Sequence, residues 1–206
     1  MKRHATADGV FMTFWMMANV FSLAAGWYWL ETTVVSNVIT GIVALLIFLF
    51  LVFGGQWLVL RSYLMIDHWW LVMSVTACLV VFMILASVSL GTGYNIGMTG
   101  RYTILDIHST IAFGVIGAIF GAMQMYVLCR YIPSGIWWCG VSSVGWAGAY
   151  AIADVLPKYV FFPSSVGDWI MGATFGFVYS LITGAILIYW RHQKPYSVYT
   201  MQVESV

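Results

Sequence analysis

The sequence has few charged residues and few cysteines. Only 7% of its 206 residues are charged, whereas a soluble domain carries about a quarter, so the chain cannot cover a globular surface with groups that water solvates. Its 8 basic and 7 acidic residues leave a net charge of +1, which offers no basic surface to nucleic acid. Three cysteines without a Cys-x-x-Cys pair exclude a secreted disulfide scaffold. We therefore expect an integral membrane protein that does not bind nucleic acid.

Common catalytic motifs are also missing. Neither Gly-x-Ser-x-Gly nor His-Glu-x-x-His occurs, so the sequence does not indicate a hydrolase of either class. The middle of each long apolar run contains no ionisable residue, where such a residue would mark a proton or ion path. The sequence therefore indicates no catalytic residue and no metal site.

What the sequence does have is six apolar runs, each close to the length of about 20 residues at which a helix crosses the hydrocarbon core of a bilayer. They predict an all-α integral membrane protein, because lipid requires every backbone group to be paired within its own segment. The predicted spans are about 11–30, 38–60, 69–90, 105–128, 137–156 and 169–190, followed by a polar C-terminal tail, 195–206.

Basic residues near the span ends predict the orientation. An even number of spans places both termini on one side, and basic residues accumulate in cytoplasmic loops. Arg101 and Lys158 alone fall on the side away from the termini. Both termini are therefore predicted to be cytoplasmic. The basic residues on their side are Lys2, Arg3, Arg61, Arg130, Arg191 and Lys194.

An internal repeat relates the middle of the chain to its later part. Gln56, near the end of the second span, corresponds to Gln124, 68 positions later, near the end of the fourth. A looser echo places Trp15 and Asn19 in the same pattern. We interpret the chain as three related helical hairpins in a parallel repeat. The same offset pairs Tyr63 with Tyr131, Trp69-Trp70 with Trp137-Trp138, and Ser74 with Ser142.

The motif Gln-Trp-x-Val-Leu-Arg, which closes the second span at 56–61, and the following Trp69-Trp70 resemble those of a loose group of bacterial multi-pass membrane proteins. The second copy departs from this motif, with Met125 in place of tryptophan and Cys129 inserted before Arg130. The resemblance implies the fold and a location in the bacterial inner (plasma) membrane. It implies no activity, since the group is uncharacterised.

Five polar residues inside the spans are the first candidates for a functional site. Polar side chains in lipid usually form hydrogen bonds between helices, so these residues are predicted to hold helices together. A polar ligand site or a pore lining between the hairpins is the alternative. The residues are Asn19, Gln56, Ser74, Gln124 and Ser142.

Histidines and paired tryptophans are the candidates for a cofactor site. His108, and less readily His68, could be an axial ligand to a chlorophyll-type pigment or a haem. The alternative for each is a boundary histidine that bonds to the backbone or to a neighbouring carboxylate. The pairs Trp69-Trp70 and Trp137-Trp138 are typical of an interfacial aromatic belt, or could form a stacking surface for a quinone or pigment.

Glycines four residues apart predict close helix packing. Gly117 and Gly121 lie in the fourth span, and Gly172 and Gly176 lie in the sixth. These two helices are therefore expected to be packed inside the bundle.

Three functions remain compatible with the sequence. The one that we favour is a structural or accessory subunit of a larger membrane-embedded complex, with other membrane protein subunits and the lipid bilayer as its partners. The alternatives are a small-solute transporter or channel, and a pigment-, haem- or quinone-binding subunit of a photosynthetic or respiratory complex. A lipid-directed enzyme would rest only on acidic residues near the outer face.

Overall fold

The part of the chain that the structure describes folds into α-helices and two compact turns. A computed structural model describes residues 2–33, 38–92, 107–159 and 164–193, and no strand occurs in these ranges. A 3-10 helix, Pro133–Trp137, leads directly into the fifth α-helix. The α-helices are α1 (Lys2–Thr33), α2 (Val38–Leu64), α3 (Trp69–Thr92), α4 (Ile107–Leu128), α5 (Trp138–Tyr159) and α6 (Ser164–His192).

Each predicted span coincides largely with one of these α-helices, although 105–106 of the fourth span lie outside the described residues and 137 of the fifth lies in the 3-10 helix. Five of the helices are long and apolar enough to cross a membrane, and α3 contributes a shorter apolar segment, Trp69–Ile84, among the described residues. The protein is thus all-helical, with the helices of a multi-pass membrane protein. The predicted tail, 195–206, lies outside the described residues.

The turn between α2 and α3 is fixed by local hydrogen bonds. Met65 ends α2 with a φ angle of 56°, and its amide donates to the carbonyl oxygen of Arg61 at 3.0 Å, which is how a left-handed residue closes a helix. Asp67 Oδ1 accepts the amide of Trp69 at 3.1 Å and so caps α3. The indole Nε1 of Trp57 donates to the carbonyl oxygen of Asp67 at 3.0 Å. The turn therefore places the start of α3 beside the end of α2.

The turn between α4 and α5 is equally compact. The amide of Ile132 donates to the carbonyl oxygen of Leu128 at 2.8 Å, and Pro133 then opens the 3-10 helix, a position that requires no amide hydrogen. A Cβ atom at Gly135 would lie 2.8 Å from the amide nitrogen of Cys129. Glycine is therefore needed at 135 because the backbone folds back on itself.

The helices pack in chain order, and α6 packs against α1 to close the ring. The start of α1 meets the end of α6, where His192 Nε2 lies 2.7 Å from Asp8 Oδ2. The α2–α3 and α4–α5 turns meet where the hydroxyl of Tyr131 accepts the amide of Asp67 at 3.1 Å. We call the end of the bundle that contains Asp8, Asp67, Tyr131 and His192 the basal end.

Aromatic rings fill the centre of the bundle beyond the basal end. Phe53 of α2 meets Phe120 of α4 with ring centroids 5.3 Å apart. Trp146 of α5 stacks on Phe120 at 5.2 Å and meets Phe175 of α6 edge-on at 5.3 Å. Side chains from four helices therefore occupy the axis at this level, and their packing favours a solid core.

Candidate functional site

A layer of buried polar side chains lies between the aromatic centre and the basal end. We call this set the polar layer. All of its members are almost completely buried, so each hydrogen bond within it is made away from water and is sensitive to the loss of either partner. Its members are Trp15, Asn19, Gln56, Trp70, Ser74, Gln124, Trp138, Ser142 and Thr183.

Gln124 of α4 joins three helices. Its Nε2 donates to the hydroxyl oxygen of Ser74 on α3 at 2.9 Å. Its Oε1 accepts the indole Nε1 hydrogen of Trp138 on α5 at 2.8 Å. Both ends of the amide are therefore used, and the side chain holds α3, α4 and α5 in one register.

Gln56 of α2 makes the corresponding bond within the first hairpin. Its Nε2 donates to Asn19 Oδ1 on α1 at 2.7 Å, and Asn19 Nδ2 donates to the carbonyl oxygen of Trp15 at 2.8 Å. Asn19 is thereby oriented by its own helix. Gln56 Oε1 has no hydrogen-bond partner among the described residues.

Thr183 of α6 is a member of the polar layer that the sequence reasoning missed. Its Oγ1 accepts the indole Nε1 hydrogen of Trp15 on α1 at 3.0 Å and donates to the carbonyl oxygen of Tyr179 at 2.7 Å. The repeat gave an indirect indication of this residue. Trp15 matches Trp138, so a hydrogen-bond acceptor for its indole could be expected on the helix that precedes α1 in the ring, which is α6.

Each tryptophan pair is divided between the outside and the inside of the bundle. Trp69 and Trp137 are 41% and 70% exposed, whereas Trp70 and Trp138 are fully buried at 0%. The ring centroids of Trp70 and Trp138 lie 6.1 Å apart. Only the first tryptophan of each pair is therefore placed to lie at a membrane interface, and the second belongs to the core.

The predicted packing glycines lie at helix contacts. A Cβ atom at Gly117 would lie 2.7 Å from the carbonyl oxygen of Ser142, and one at Gly121 would lie 2.7 Å from Cys139 Cα, both on α5. On α6, a Cβ atom at Gly176 would lie 2.7 Å from the carbonyl oxygen of Asn19, and Gly172 is buried. The backbones of α4 and α5, and of α6 and α1, thus approach closely beside the polar layer.

A charged cluster fastens three helix ends at the basal end. The hydroxyl of Tyr63 on α2 donates to Asp8 Oδ1 on α1 at 2.5 Å. Arg191 of α6 lies 3.9 Å from the same carboxylate oxygen and over the ring of Tyr63, 3.9 Å from its centroid. With His192, which contacts Asp8 Oδ2, these residues form the Asp8 cluster. No pattern in the sequence pointed to Asp8.

The two candidate histidines lie apart from the polar layer. Both side chains are exposed. His68 stacks on Trp69 with ring centroids 5.7 Å apart, and His108 lies in the first turn of α4. Within the ranges that the structure describes, no three histidine, cysteine or acidic side chains converge as metal ligands would.

A cleft of about 340 Å³ opens beside His68 at the α2–α3 turn. Arg61 lies over the ring of Trp57 there, 5.1 Å from its centroid. The cleft thus combines charged side chains of both signs, an indole and two apolar side chains, a mixture suited to an amphiphile at the membrane surface. It is lined by Trp57, Arg61, Met65, Ile66, Asp67 and His68.

No protein-family model, curated protein or solved structure matches the chain.

Proposed function

We propose that this protein is a structural or accessory subunit of a larger membrane-embedded complex. The observation that carries the proposal is the polar layer, in which Gln56, Gln124 and Thr183 each form a hydrogen bond with a polar side chain of another helix. In lipid such bonds hold helices together. The interior is therefore suited to maintaining a shape, and recognition is left to the outer surface.

The bonding of the polar layer favours a subunit over a small-solute transporter. A transport path needs polar groups that can exchange their partners for the solute as it passes. Gln124 instead uses both ends of its amide on neighbouring helices, and the hydroxyl of Thr183 both accepts and donates within the protein. Aromatic side chains fill the adjacent level of the bundle.

The outer surface supplies what a subunit needs. It presents large apolar side chains around the bundle, which either lipid or the apolar face of another membrane protein can cover. Among the described side chains, exposed aromatic residues occur on five of the α-helices. They include Phe14, Phe21, Phe50, Phe82, Tyr126, Phe177 and Tyr189.

We further propose that the chain crosses the inner membrane of a bacterium six times, as three related hairpins with the basal end in the cytoplasm. Arg61, Arg130 and Arg191 are all near the basal end, as basic residues of cytoplasmic turns would be. The hydrogen bonds of Gln56 and Gln124, each to the odd-numbered helix of its own hairpin, support the repeat.

Purification from native membranes tests the proposed role. The tagged protein is extracted into polymer-bounded nanodiscs, and its mass and protein composition are measured. We expect a second protein to co-purify in fixed stoichiometry. Photoreactive residues introduced at exposed positions, such as Phe50 or Val144, should cross-link to it on one side of the bundle and not on the others. A homogeneous protein that is alone at every cross-linking position would contradict the proposal.

The same sample separates the subunit from the cofactor-binding alternative. A visible absorption band that disappears in His108→Gln or His68→Gln would assign the protein to pigment or haem binding instead. The matched control is His192→Gln, which alters a histidine that lies in the Asp8 cluster.

Cytoplasmic placement of the basal end is measured by labelling cysteine variants at Ser62 and Ile136 in whole cells.

A further inference from the structure

The three contacts between an odd-numbered helix and the preceding even-numbered helix are built from the same kinds of residue. Each odd-numbered helix carries a buried tryptophan with a buried polar residue four positions later. The preceding helix of the ring supplies a polar side chain at the same level. The tryptophans and their polar neighbours are Trp15 with Asn19, Trp70 with Ser74, and Trp138 with Ser142.

Two of these contacts are closed by a direct hydrogen bond from the indole. Trp15 donates to Thr183 across α1 and α6 at 3.0 Å. Trp138 donates to Gln124 across α5 and α4 at 2.8 Å. In both cases the indole N–H is satisfied within the protein, as a buried donor must be.

The contact between α2 and α3 has the same two groups as the contact between α4 and α5, a glutamine amide and a tryptophan indole, but no hydrogen bond joins them. Gln56 and Trp70 are 14 positions apart, as are Gln124 and Trp138. They are 2% and 0% exposed, yet Gln56 Oε1 and Trp70 Nε1 have no hydrogen-bond partner in the part of the chain that is described. Over the described residues, α2 also packs less extensively on α3 than α4 does on α5.

We propose that the α2–α3 contact is a binding site for a hydroxyl group, held between Gln56 Oε1 and Trp70 Nε1. The indole nitrogen can only donate, and the amide oxygen can only accept. A group that joins them must accept one hydrogen bond and donate another. Carboxylates, phosphates, esters and ketones only accept, and an ammonium group only donates, whereas one hydroxyl oxygen does both.

The surroundings of this contact suit an amphiphile as the source of the hydroxyl. The cleft at the α2–α3 turn is lined by Trp57 and His68, which are close in sequence to Gln56 and Trp70, whereas Gln56 and Trp70 do not line it themselves. Trp57 and Met65 can contact an acyl chain there, and Arg61 and Asp67 supply charged groups at the surface. A water molecule offers the same hydroxyl chemistry, so the experiment separates the two sources.

Two lipids that differ only at the hydroxyl test the site. The full-length protein is placed in phosphatidylcholine nanodiscs that contain dioleoylglycerol or its 3-acetyl ester, and native mass spectrometry measures how much of each is retained. We expect dioleoylglycerol to be retained about tenfold better, as one hydrogen-bonded group allows. Gln56→Met should abolish this preference, whereas Trp137→Phe, on the exposed side of the bundle, should leave it unchanged.

The NMR signal of the Trp70 indole hydrogen tests for a bound hydroxyl group even if neither lipid is retained. The Nε1–H signal of Trp70 is assigned with Trp70→Phe, or by incorporating a single labelled tryptophan at position 70 if that variant does not fold. A cross-relaxation peak to a lipid hydroxyl proton supports the amphiphile, and one to bound water supports water as the source. A direct bond to Gln56, or a Trp70 signal typical of an indole without any acceptor, would overturn the proposal.

Discussion

Trp138 donates its indole hydrogen to Oε1 of Gln124 at 2.8 Å, and both side chains are almost wholly buried. The other end of the same amide bonds to Ser74. Since Ser74, Gln124 and Trp138 belong to α3, α4 and α5, a single side chain, that of Gln124, links these three helices.

A double-mutant cycle on this pair should reveal their coupling. Gln124→Met and Trp138→Phe each remove the shared hydrogen bond. The double variant should therefore lose less free energy of unfolding than the two single variants lose together, by about 0.6–1.7 kcal/mol. The free energy of unfolding is measured by reversible denaturant titration in mixed micelles. In the control cycle, Gln124→Met with Trp137→Phe should be additive. Additivity in both cycles would show that the bond contributes nothing.

The two tryptophans of one pair should differ sharply in their effect on stability. Trp138→Ala removes a fully buried ring and leaves Gln124 Oε1 without its donor, so we expect a loss of about 3–5 kcal/mol. Trp137 is 70% exposed, and Trp137→Ala should cost less than about 1 kcal/mol. The measurement is the same unfolding titration. A loss of equal size at both positions would mean that the inward and outward assignments are wrong.

Close packing of α4 on α5 should make Gly121 intolerant of a methyl group. A Cβ atom there would lie 2.7 Å from Cys139 Cα, which is backbone and cannot move away independently. We expect Gly121→Ala to destabilise the protein by about 1–3 kcal/mol. Gly140 has no atom within 4 Å of its Cβ position, and Gly140→Ala should be neutral or slightly stabilising. Thermal unfolding in detergent compares the two variants, and similar midpoints would refute the close approach.

The Asp8 cluster should restrain the basal end without contributing much to global stability. The side chains of Asp8, Arg191 and His192 are 17%, 32% and 48% exposed, and partly exposed ion pairs contribute only about 0–1 kcal/mol. Asp8→Asn should therefore change the unfolding midpoint little. It should raise the rate of trypsin cleavage after Arg191 several-fold, because the end of α6 loses its anchor. Thr13→Val, which removes an exposed hydroxyl that bonds to the carbonyl oxygen of Gly9 on its own helix, is the control and should leave the cleavage rate unchanged.

Much of the helical architecture could be read from the sequence. The apolar runs located the six α-helices of the described residues, because a run of about 20 residues without charge has few other stable forms in lipid. The offset of 68 residues singled out Gln56, Gln124, Ser74 and Ser142, all of which the structure places in the polar layer. The two glutamines were predictable because an amide inside a span is expected to form a hydrogen bond with another helix, as both do.

The direction in which each helix faces could not be read in this way. Most spans are apolar all round, so no polar stripe distinguishes Trp69 from Trp70, and only packing places one outside and the other inside. Thr183 was missed because a threonine hydroxyl can bond to its own helix and so requires no partner. Asp8 was missed because its partners on α2 and α6 are far away in sequence.

The contact between Asp8 and His192 brings the start of α1 and the end of α6, the first and last helices of the chain, side by side at the basal end. The order in which the chain joins the helices can therefore be changed without changing how the helices pack. A short flexible linker between residues 192 and 8, with new ends opened at the Met65–His68 turn, would give a circularly permuted chain that retains every helix contact except that turn. Such a permutant would have its first hairpin synthesised last.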